Sequence, residues 1–219
     1  EAEGIAVRCG LKYVRSEKSD EGVSLTISVD GRDETLYAER LLLTTGRNAN
    51  TGSLGLEEAG IETLPNGGIV VDERMRTSKH GIYAAGDVTG RDQFVYMAAY
   101  GAKLAAKNAL NSNSHVYEND TMPWVVFTDP QVAGAGLSER QAKEAGFNVK
   151  TSIAPLDQVP RALAAHDTRG LIKLVADADT DRLLGAQILA PEGADSIQTI
   201  VLALKYNMTA TELGETIFP

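Results

Sequence analysis

A glycine–aspartate pair, Gly86-Asp87, closes a short apolar stretch that runs from Ile82 to Ala85. The pattern predicts a strand whose end carries no bulky side chain, so that a ligand could lie directly against the backbone. The carboxylate of Asp87 would then accept hydrogen bonds from hydroxyl groups of that ligand. A plain turn is the alternative interpretation of the same residues.

A second candidate lies in the sequence LLLTTGRNAN, where the apolar run Leu41–Thr45 ends at Gly46. A continuous apolar run predicts a strand that is buried on both faces. A buried strand that ends in Thr-Gly can present its backbone to a flat or phosphorylated ligand at the edge of a sheet. An ordinary exit from a strand into a loop explains the pattern equally well.

A third candidate is the start of an alanine-rich segment, Gln93 to Leu110, which suits a helix with Val95, Ala98, Ala99 and Ala102 on its apolar face. The first N–H groups of a helix have no partner within it, and the helix dipole is positive at that end. The backbone near Val95 could therefore receive an anion or an electron-rich carbonyl. Every helix has such an end, so this signal has weight only beside the other two.

Other residues that could do chemistry have simpler interpretations. The Gly134-Ala-Gly136 sequence lacks the third glycine of a dinucleotide fingerprint, and we interpret it as a turn before a capped helix. Cys9 is the single cysteine and is predicted to be a small buried apolar residue. The three histidines show no spacing typical of metal ligands: His80, His115 and His166.

Composition narrows the class of protein. The chain has 219 residues, and its hydrophobic fraction of 43% predicts a packed core. A net charge of −9 argues against a nucleic-acid or anionic-membrane partner, and no apolar run is long enough for membrane insertion. The single cysteine suits a reducing compartment, so we expect a cytoplasmic protein. Both ends interrupt a pattern, which we interpret as an internal piece of a longer protein.

Periodicity predicts the elements that would position these residues. In the first part of the chain we expect strands at Ile5–Cys9 and Val23–Val29, and a return at Thr35–Ala38 after an Asp30-Gly31 turn. Brief strands are predicted at Ile69–Val71 and Ile82–Ala85. After a polar boundary at 111–120, the predicted strands are Trp124–Phe127, Val149–Ala154, Leu171–Ala176 and Leu183–Leu189. Predicted helices begin at capping boxes at Ser138 and Thr209, and Asp195–Tyr206 has amphipathic spacing.

The sequences TTGRNAN and TSKHGIYAAGDV together resemble the second flavin-binding segment of the FAD-dependent pyridine nucleotide–disulfide oxidoreductases. The resemblance implies that Asp87 binds the ribityl chain of FAD and that Gly86 permits its close approach. It also implies that Gly46 belongs to the site and that Val95 offers its backbone to the isoalloxazine ring. Ala49 replaces a proline that the family usually has in this loop.

The second half is similar to the same family. The sequence MPWVVFTDPQVAGAGLSERQA resembles the opening of its dimerisation domain, and the VPRALA, DTRG and terminal Phe-Pro sequences resemble its mercuric-ion-reducing branch. Phe218 stands where the disulfide-reducing branches have a histidine. The resemblance implies a homodimer that uses NADPH and FAD and takes Hg(II) as its substrate.

The implied fold is α/β and α+β. It comprises the end of an NAD(P)-binding domain (1–45), the second FAD-binding segment (46–115) and an α+β dimerisation domain with an antiparallel sheet (116–219). These residues do not include the redox-active cysteine pair, the glycine-rich nucleotide fingerprint or the metal-binding cysteines of the family, so we assign no catalytic or metal-binding residue. Two alternatives stay open: a lipoamide or glutathione reductase, and a non-catalytic dimerisation module.

Overall fold

The computed structural model describes residues 3–218, which divide into two compact units between Arg47 and Asn48. The first unit contains a three-stranded antiparallel sheet in the order β1-β2-β3, with β1 at Lys12–Ser19, β2 at Gly22–Val29 and β3 at Arg32–Ala38. The β2–β3 turn has φ values of 51° at Asp30 and 78° at Gly31. Positive φ at both positions matches the twist of a tight hairpin, as the Asp-Gly pair predicts.

Three predictions in the first unit are wrong. Residues 5–9 form no strand, and Cys9 is exposed rather than buried. The run Leu41–Thr45 also forms no strand, and Leu42 and Leu43 are 85% and 71% exposed. A strand requires a neighbour that accepts its hydrogen bonds. None of the described residues pairs with either segment, so hydrophobicity alone does not make them strands.

The second unit begins with turns and isolated bridges. The bridges are Thr63↔Ile69, Val71↔Thr77 and Arg76↔Tyr83. The strands predicted at residues 69–71 and 82–85 are therefore present only as isolated bridges, because a turn or bend follows soon after each segment. A 3-10 turn spans Asp87–Thr89, and helix α1 spans Val95–Leu110.

Helix α1 buries a different face from the predicted one. Its buried residues are Met97, Gly101, Leu104 and Asn108, whereas Val95 is 84% exposed. Leu104 joins a cluster with Ile61, Ile69, Val71 and Met75. Alanine has little apolar area, so the larger side chains decide which face of the helix packs on this cluster.

The rest of the second unit is built on a five-stranded antiparallel sheet in the order β4-β5-β8-β7-β6. The strands are β4 Trp124–Val126, β5 Gln131–Gly136, β6 Val149–Pro155, β7 Leu171–Asp177 and β8 Leu183–Ala190. The four predicted strands are confirmed. The turn predicted at Gly134 is wrong, because this residue lies within strand β5. A Cβ at Gly134 would lie 2.4 Å from the Trp124 ring, so this glycine serves close packing.

Four short helices complete this region: α2 Glu139–Glu144, α3 Pro160–Ala164, α4 Gly193–Lys205 and α5 Ala210–Gly214. Both predicted capping boxes are present, at Ser138 and Thr209. Helix α4 packs on β5 and β8 and buries Ile197, Ile200 and Leu204, as its spacing predicts. Ala203 is also buried, whereas Leu202 is half exposed. The mixed α/β and α+β class is confirmed.

Candidate functional site

The predicted Gly86-Asp87 pair lies against helix α1. Gly86 has φ 82° and ψ −162°, a conformation that only glycine adopts readily. Its missing Cβ would lie 3.0 Å from the Cβ of Ala98. The Thr89 hydroxyl and N–H donate to the Gly86 carbonyl at 2.8 and 2.9 Å and close the turn. Gly86 therefore allows this loop to contact the first turns of α1.

The Asp87 side chain is exposed at the start of the 3-10 turn. Within residues 3–218, no hydrogen bond or ion pair joins its carboxylate to another side chain or to the backbone. An ionised carboxylate has about four acceptor sites. Asp87 can therefore accept hydrogen bonds from the hydroxyl groups of a ligand without breaking any contact of the fold.

The start of helix α1 also has free hydrogen-bonding groups. Its N-cap, Phe94, provides no side-chain cap, and its carbonyl accepts from Met97 and Ala98 at 3.0 Å each. The N–H groups of Val95 and Tyr96 have no acceptor in the described part of the chain. Because Ala98 contacts Gly86, these donors and the Asp87 carboxylate belong to neighbouring parts of the surface.

Side chains that sequence reasoning missed hold this loop together. Asp72 accepts from the N–H groups of Arg74 and Arg76 at 2.8 and 3.0 Å. Burial opposes ionisation of Asp72, but the hydrogen bond from the Arg76 side chain helps to lower its pKa below the ordinary value. The Arg91 guanidinium donates to the Val71 carbonyl at 2.8 Å. These contacts fix the turn that precedes Gly86.

Asn108, on the buried face of α1, joins three parts of the chain. Its amide nitrogen donates to the carbonyls of Arg74 and His115 at 3.0 and 2.8 Å, and its oxygen accepts from the His115 N–H at 2.9 Å. Asn108 is 1% exposed. An asparagine within a helical pattern gives no sign of such a role, because its partners are distant in sequence or belong to loops.

Asp92 makes a comparable connection at the other end of α1. Its carboxylate oxygen Oδ2 accepts from the Tyr117 hydroxyl at 3.0 Å and from the Asn119 side chain at 2.8 Å. The sequence around Asp92 looks like an ordinary turn, and no periodic signal relates it to residues 117–119.

The remaining predicted residue, Gly46, belongs to the first compact unit. Its φ is +129°, and no other atom lies within 4 Å of the position that a Cβ would take. The structure therefore brings together Gly86, Asp87 and Val95, and Gly46 stays a prediction from the sequence. No group of three or more potential metal ligands occurs within residues 3–218. No helix in this range is long and apolar enough to cross a membrane.

Residues 1–106 match the pyridine nucleotide-disulphide oxidoreductase family, and residues 122–219 match the dimerisation domain of the same family. The chain belongs to the pyridine nucleotide-disulphide oxidoreductases.

Among curated relatives, the chain is 41% identical to a mercuric reductase of Staphylococcus aureus, over 99% of this chain and 40% of that protein. It is 43% identical to a mercuric reductase of Bacillus cereus, over 99% of this chain and 34% of that protein. The chain thus spans about two fifths of the length of the curated relatives it matches.

Solved structures show a similar fold. The Cu(II) complex of a mutant of the HOCl-induced flavoprotein disulfide reductase RclA from Escherichia coli superimposes with a TM-score of 0.86 at 29% identity, over 95% of this chain and 47% of that one. LpdA from Mycobacterium tuberculosis has a TM-score of 0.87 at 28% identity, over 100% of this chain and 47% of its own.

Proposed function

We propose that this chain is part of a flavoprotein mercuric reductase, which reduces Hg(II) to Hg(0) with NADPH. Within the second compact unit, Gly86, Asp87 and Val95 contribute to its FAD site. The observation that carries the proposal is the Asp87 carboxylate, which has no partner within residues 3–218. It lies one loop away from N–H groups at the start of α1 that also have no acceptor in this range. The identity to mercuric reductases over nearly the whole chain supports the choice of branch.

When bound, FAD would supply the redox chemistry that links NADPH to a thiol pair. The residues of this chain bind and orient it. The Asp87 carboxylate accepts hydrogen bonds from ribityl hydroxyls, and the N–H of Val95 donates toward a ring carbonyl. The positive end of the α1 dipole favours electron density at that carbonyl. Gly86 keeps the Asp87 loop close to α1, so that both groups serve one ligand.

The substrate assignment follows from ligand chemistry. Hg(II) is a soft ion that prefers thiolate ligands. Two electrons from NADPH reduce it to Hg(0), with release of NADP⁺ and a proton. The chain has one cysteine, so a pair of reacting thiolates requires cysteines beyond these 219 residues. Thiol chemistry of this kind suits a cytoplasmic, reducing environment.

Phe218 favours the mercuric branch over a disulfide reductase. Thiol–disulfide exchange needs a group that takes a proton from the attacking thiol and returns one to the leaving thiolate. Phenylalanine cannot carry a proton. Reduction of a thiolate-bound metal ion has no leaving thiol to protonate, so Phe218 is compatible with it. Phe218 is 56% exposed, which leaves its ring free to contact other residues of the assembled enzyme.

The test of the activity uses the intact protein. We expect NADPH oxidation that depends on Hg(II), with little turnover of glutathione disulfide or lipoamide. Robust disulfide turnover without any response to Hg(II) would exclude the mercuric branch and leave the family unchanged. A protein that purifies without flavin and oxidises no NADPH would instead favour a non-catalytic dimerisation module.

The test of the site is Asp87→Ala. Loss of a charged acceptor for hydroxyl donors costs about 1.5–3 kcal/mol, so FAD should dissociate roughly tenfold to a hundredfold more readily. Asp120→Ala, which removes another exposed carboxylate, is the matched control and should leave FAD retention unchanged. Equal retention in Asp87→Ala and wild type would make Asp87 a turn residue only.

Residues 122–219 match a dimerisation domain, and we propose that they form a homodimer surface. Exposed apolar side chains in this region include Phe127, Leu202 and Tyr206, at 74%, 50% and 72% exposure. Large exposed apolar side chains that cluster on one region are typical of an interface. Sedimentation of the intact protein as a monomer at micromolar concentration would contradict this part of the proposal.

A further inference from the structure

We infer that Asp92, Tyr117 and Asn119 form a latch that positions the flavin-facing end of helix α1. The latch is a set of positioning residues and rests on the FAD site proposed above. Its basis is the pair of hydrogen bonds to Asp92 Oδ2, at 3.0 Å from the Tyr117 hydroxyl and 2.8 Å from Asn119 Nδ2. These bonds tie the residues that follow α1 back to the residues that precede it.

The backbone at Asp92 shows why a latch is needed. Its φ is +27°, outside the regions that a non-glycine residue adopts without cost. Such a conformation persists only when surrounding contacts hold it in place. The two hydrogen bonds to the Asp92 side chain are contacts of this kind, and both come from residues more than twenty positions away.

Tyr117 is itself firmly anchored. Its ring packs on the cluster that contains Met75 and Leu104, and its ring centroid lies 5.2 Å from that of Tyr100. Its N–H donates to the Glu73 carbonyl at 2.7 Å. Burial, together with the hydrogen bond to Asp92, raises the pKa of the Tyr117 hydroxyl above its ordinary value. The hydroxyl therefore stays protonated and keeps donating across the physiological range.

The latch acts on the site through Phe94. The Phe94 N–H donates to the Asp92 carbonyl at 2.7 Å, and the Phe94 carbonyl accepts the first hydrogen bonds of α1. Phe94 provides no side-chain cap, and its ring stacks on Tyr96 in the first turn of α1, with 5.3 Å between the ring centroids. This ring contact lies at the helix start itself and does not join Phe94 to the residues that precede it. Asp92, held by Tyr117 and Asn119, fixes the direction in which the chain enters the helix. It thereby orients the N–H groups of Val95 and Tyr96, which we assign to the flavin.

The test compares two variants of the intact protein. Tyr117→Phe combined with Asn119→Ala removes both donors and leaves the ring of residue 117 in place. Tyr83→Phe is the matched control. The Tyr83 hydroxyl also donates to the segment after α1, to Asn113 Oδ1 at 2.7 Å, but it makes no hydrogen bond to Asp92. FAD affinity, the visible circular dichroism of the bound flavin and the thermal midpoint of the flavin-free protein are measured for each.

We expect the double variant to bind FAD about threefold to thirtyfold more weakly than wild type, the range for loss of one or two hydrogen bonds that orient a donor. Its flavin dichroism should change, and Tyr83→Phe should match wild type in both readouts. If the double variant lowers the thermal midpoint but leaves affinity and dichroism at the control values, the three residues are structural only. A wild-type protein that binds no FAD would overturn the proposed function, and the latch with it.

Discussion

Two regions of the same compact unit hold their shape by different means. Residues 48–121 contain isolated bridges and one long helix, and their turns depend on side chains such as Asp72, Arg91 and Asn108. Residues 122–218 contain a continuous five-stranded ladder with helix α4 packed across it. In the second region the ladder pairs the backbone of neighbouring strands, whereas in the first the Asp87 carboxylate and the first N–H groups of α1 have no partner among the described residues.

The difference concerns function as well as stability. A region that uses all its backbone groups in a sheet has few left for a ligand. A region built from turns can leave donors and acceptors at defined places, provided that other side chains fix the turns. We therefore expect substitutions in the sheet region to affect stability, and substitutions in the loop region to affect both stability and FAD retention.

The largest effect should come from Gly185→Ala in strand β8. A Cβ at this position would lie 2.2 Å from the Leu137 carbonyl oxygen and 2.5 Å from its nitrogen. Backbone atoms cannot rotate away as a side chain can, so the sheet must shift. We expect a loss of about 2–4 kcal/mol, measured as faster native-state hydrogen exchange in β5 and β8 of the intact protein.

Gly214→Ala is the control for that substitution. Gly214 lies at the end of α5, without a positive φ, and no atom lies within 4 Å of its Cβ position. Alanine is the better helix former, so this change should be neutral or stabilise by up to about 1 kcal/mol. If Gly185→Ala is as neutral as Gly214→Ala, the sheet region tolerates overpacking better than its close contacts indicate.

The next effect should come from Asn108→Ala in the loop region. The change leaves the His115 N–H and the carbonyls of Arg74 and His115 without their partner in a buried place. The expected cost is about 2–3 kcal/mol, with faster exchange of the His115 amide and weaker FAD retention. Asn111→Ala removes one exposed hydrogen bond to Lys107 and should cost less than about 0.5 kcal/mol. An unchanged FAD affinity in Asn108→Ala would separate the stability of the loop region from its binding function.

The same contrast explains what the sequence could predict. Strands β6, β7 and β8 alternate or run apolar over seven or eight residues, so periodicity finds them, and each pairs with the strand next to it in the chain. Capping boxes at Ser138 and Thr209 are local signals and are equally clear. Strand β5 was not predicted, because its glycines are typical of a turn. In the structure, Gly134 lies in the strand and leaves room for the Trp124 ring.

The sequence pattern identified only some residues of the proposed site. Gly86 and Asp87 stand out because a glycine and a carboxylate follow an apolar stretch. Their supports do not, since Asn108 and Asp92 bind partners across loops, where residue type gives no distance information. The buried face of α1 was misassigned for a related reason: alanines on all sides leave the choice to Met97 and Leu104, which only tertiary packing reveals.

The smallest effect should come from the surface of the sheet region, at Glu139. Its carboxylate accepts from Lys143 Nζ at 2.5 Å and from Lys173 Nζ at 2.6 Å. The hydrogen bond from Lys143, followed by that from Lys173, lowers the pKa of Glu139 to about 2 from an ordinary value of 4.5. A carboxyl group whose pKa is lower in the folded protein than in the unfolded chain stabilises the fold when the pH is above the pKa of the unfolded chain. This stabilisation is lost as the pH falls toward the pKa of the folded protein.

Glu139→Gln should therefore slightly lower the urea midpoint of the intact protein at pH 7 and reduce the loss of stability between pH 4.5 and pH 2, because the variant has no charge to lose there. Glu144→Gln, which removes a carboxylate paired with the exposed Arg140, is the matched control. An exposed ion pair contributes little to the free energy of unfolding. Glu139 differs from Glu144 because it pairs with two lysines instead of a single arginine. If both variants show the acid sensitivity of wild type, surface charge contributes nothing measurable, and the sheet region owes its stability to the ladder and the apolar core beneath α4.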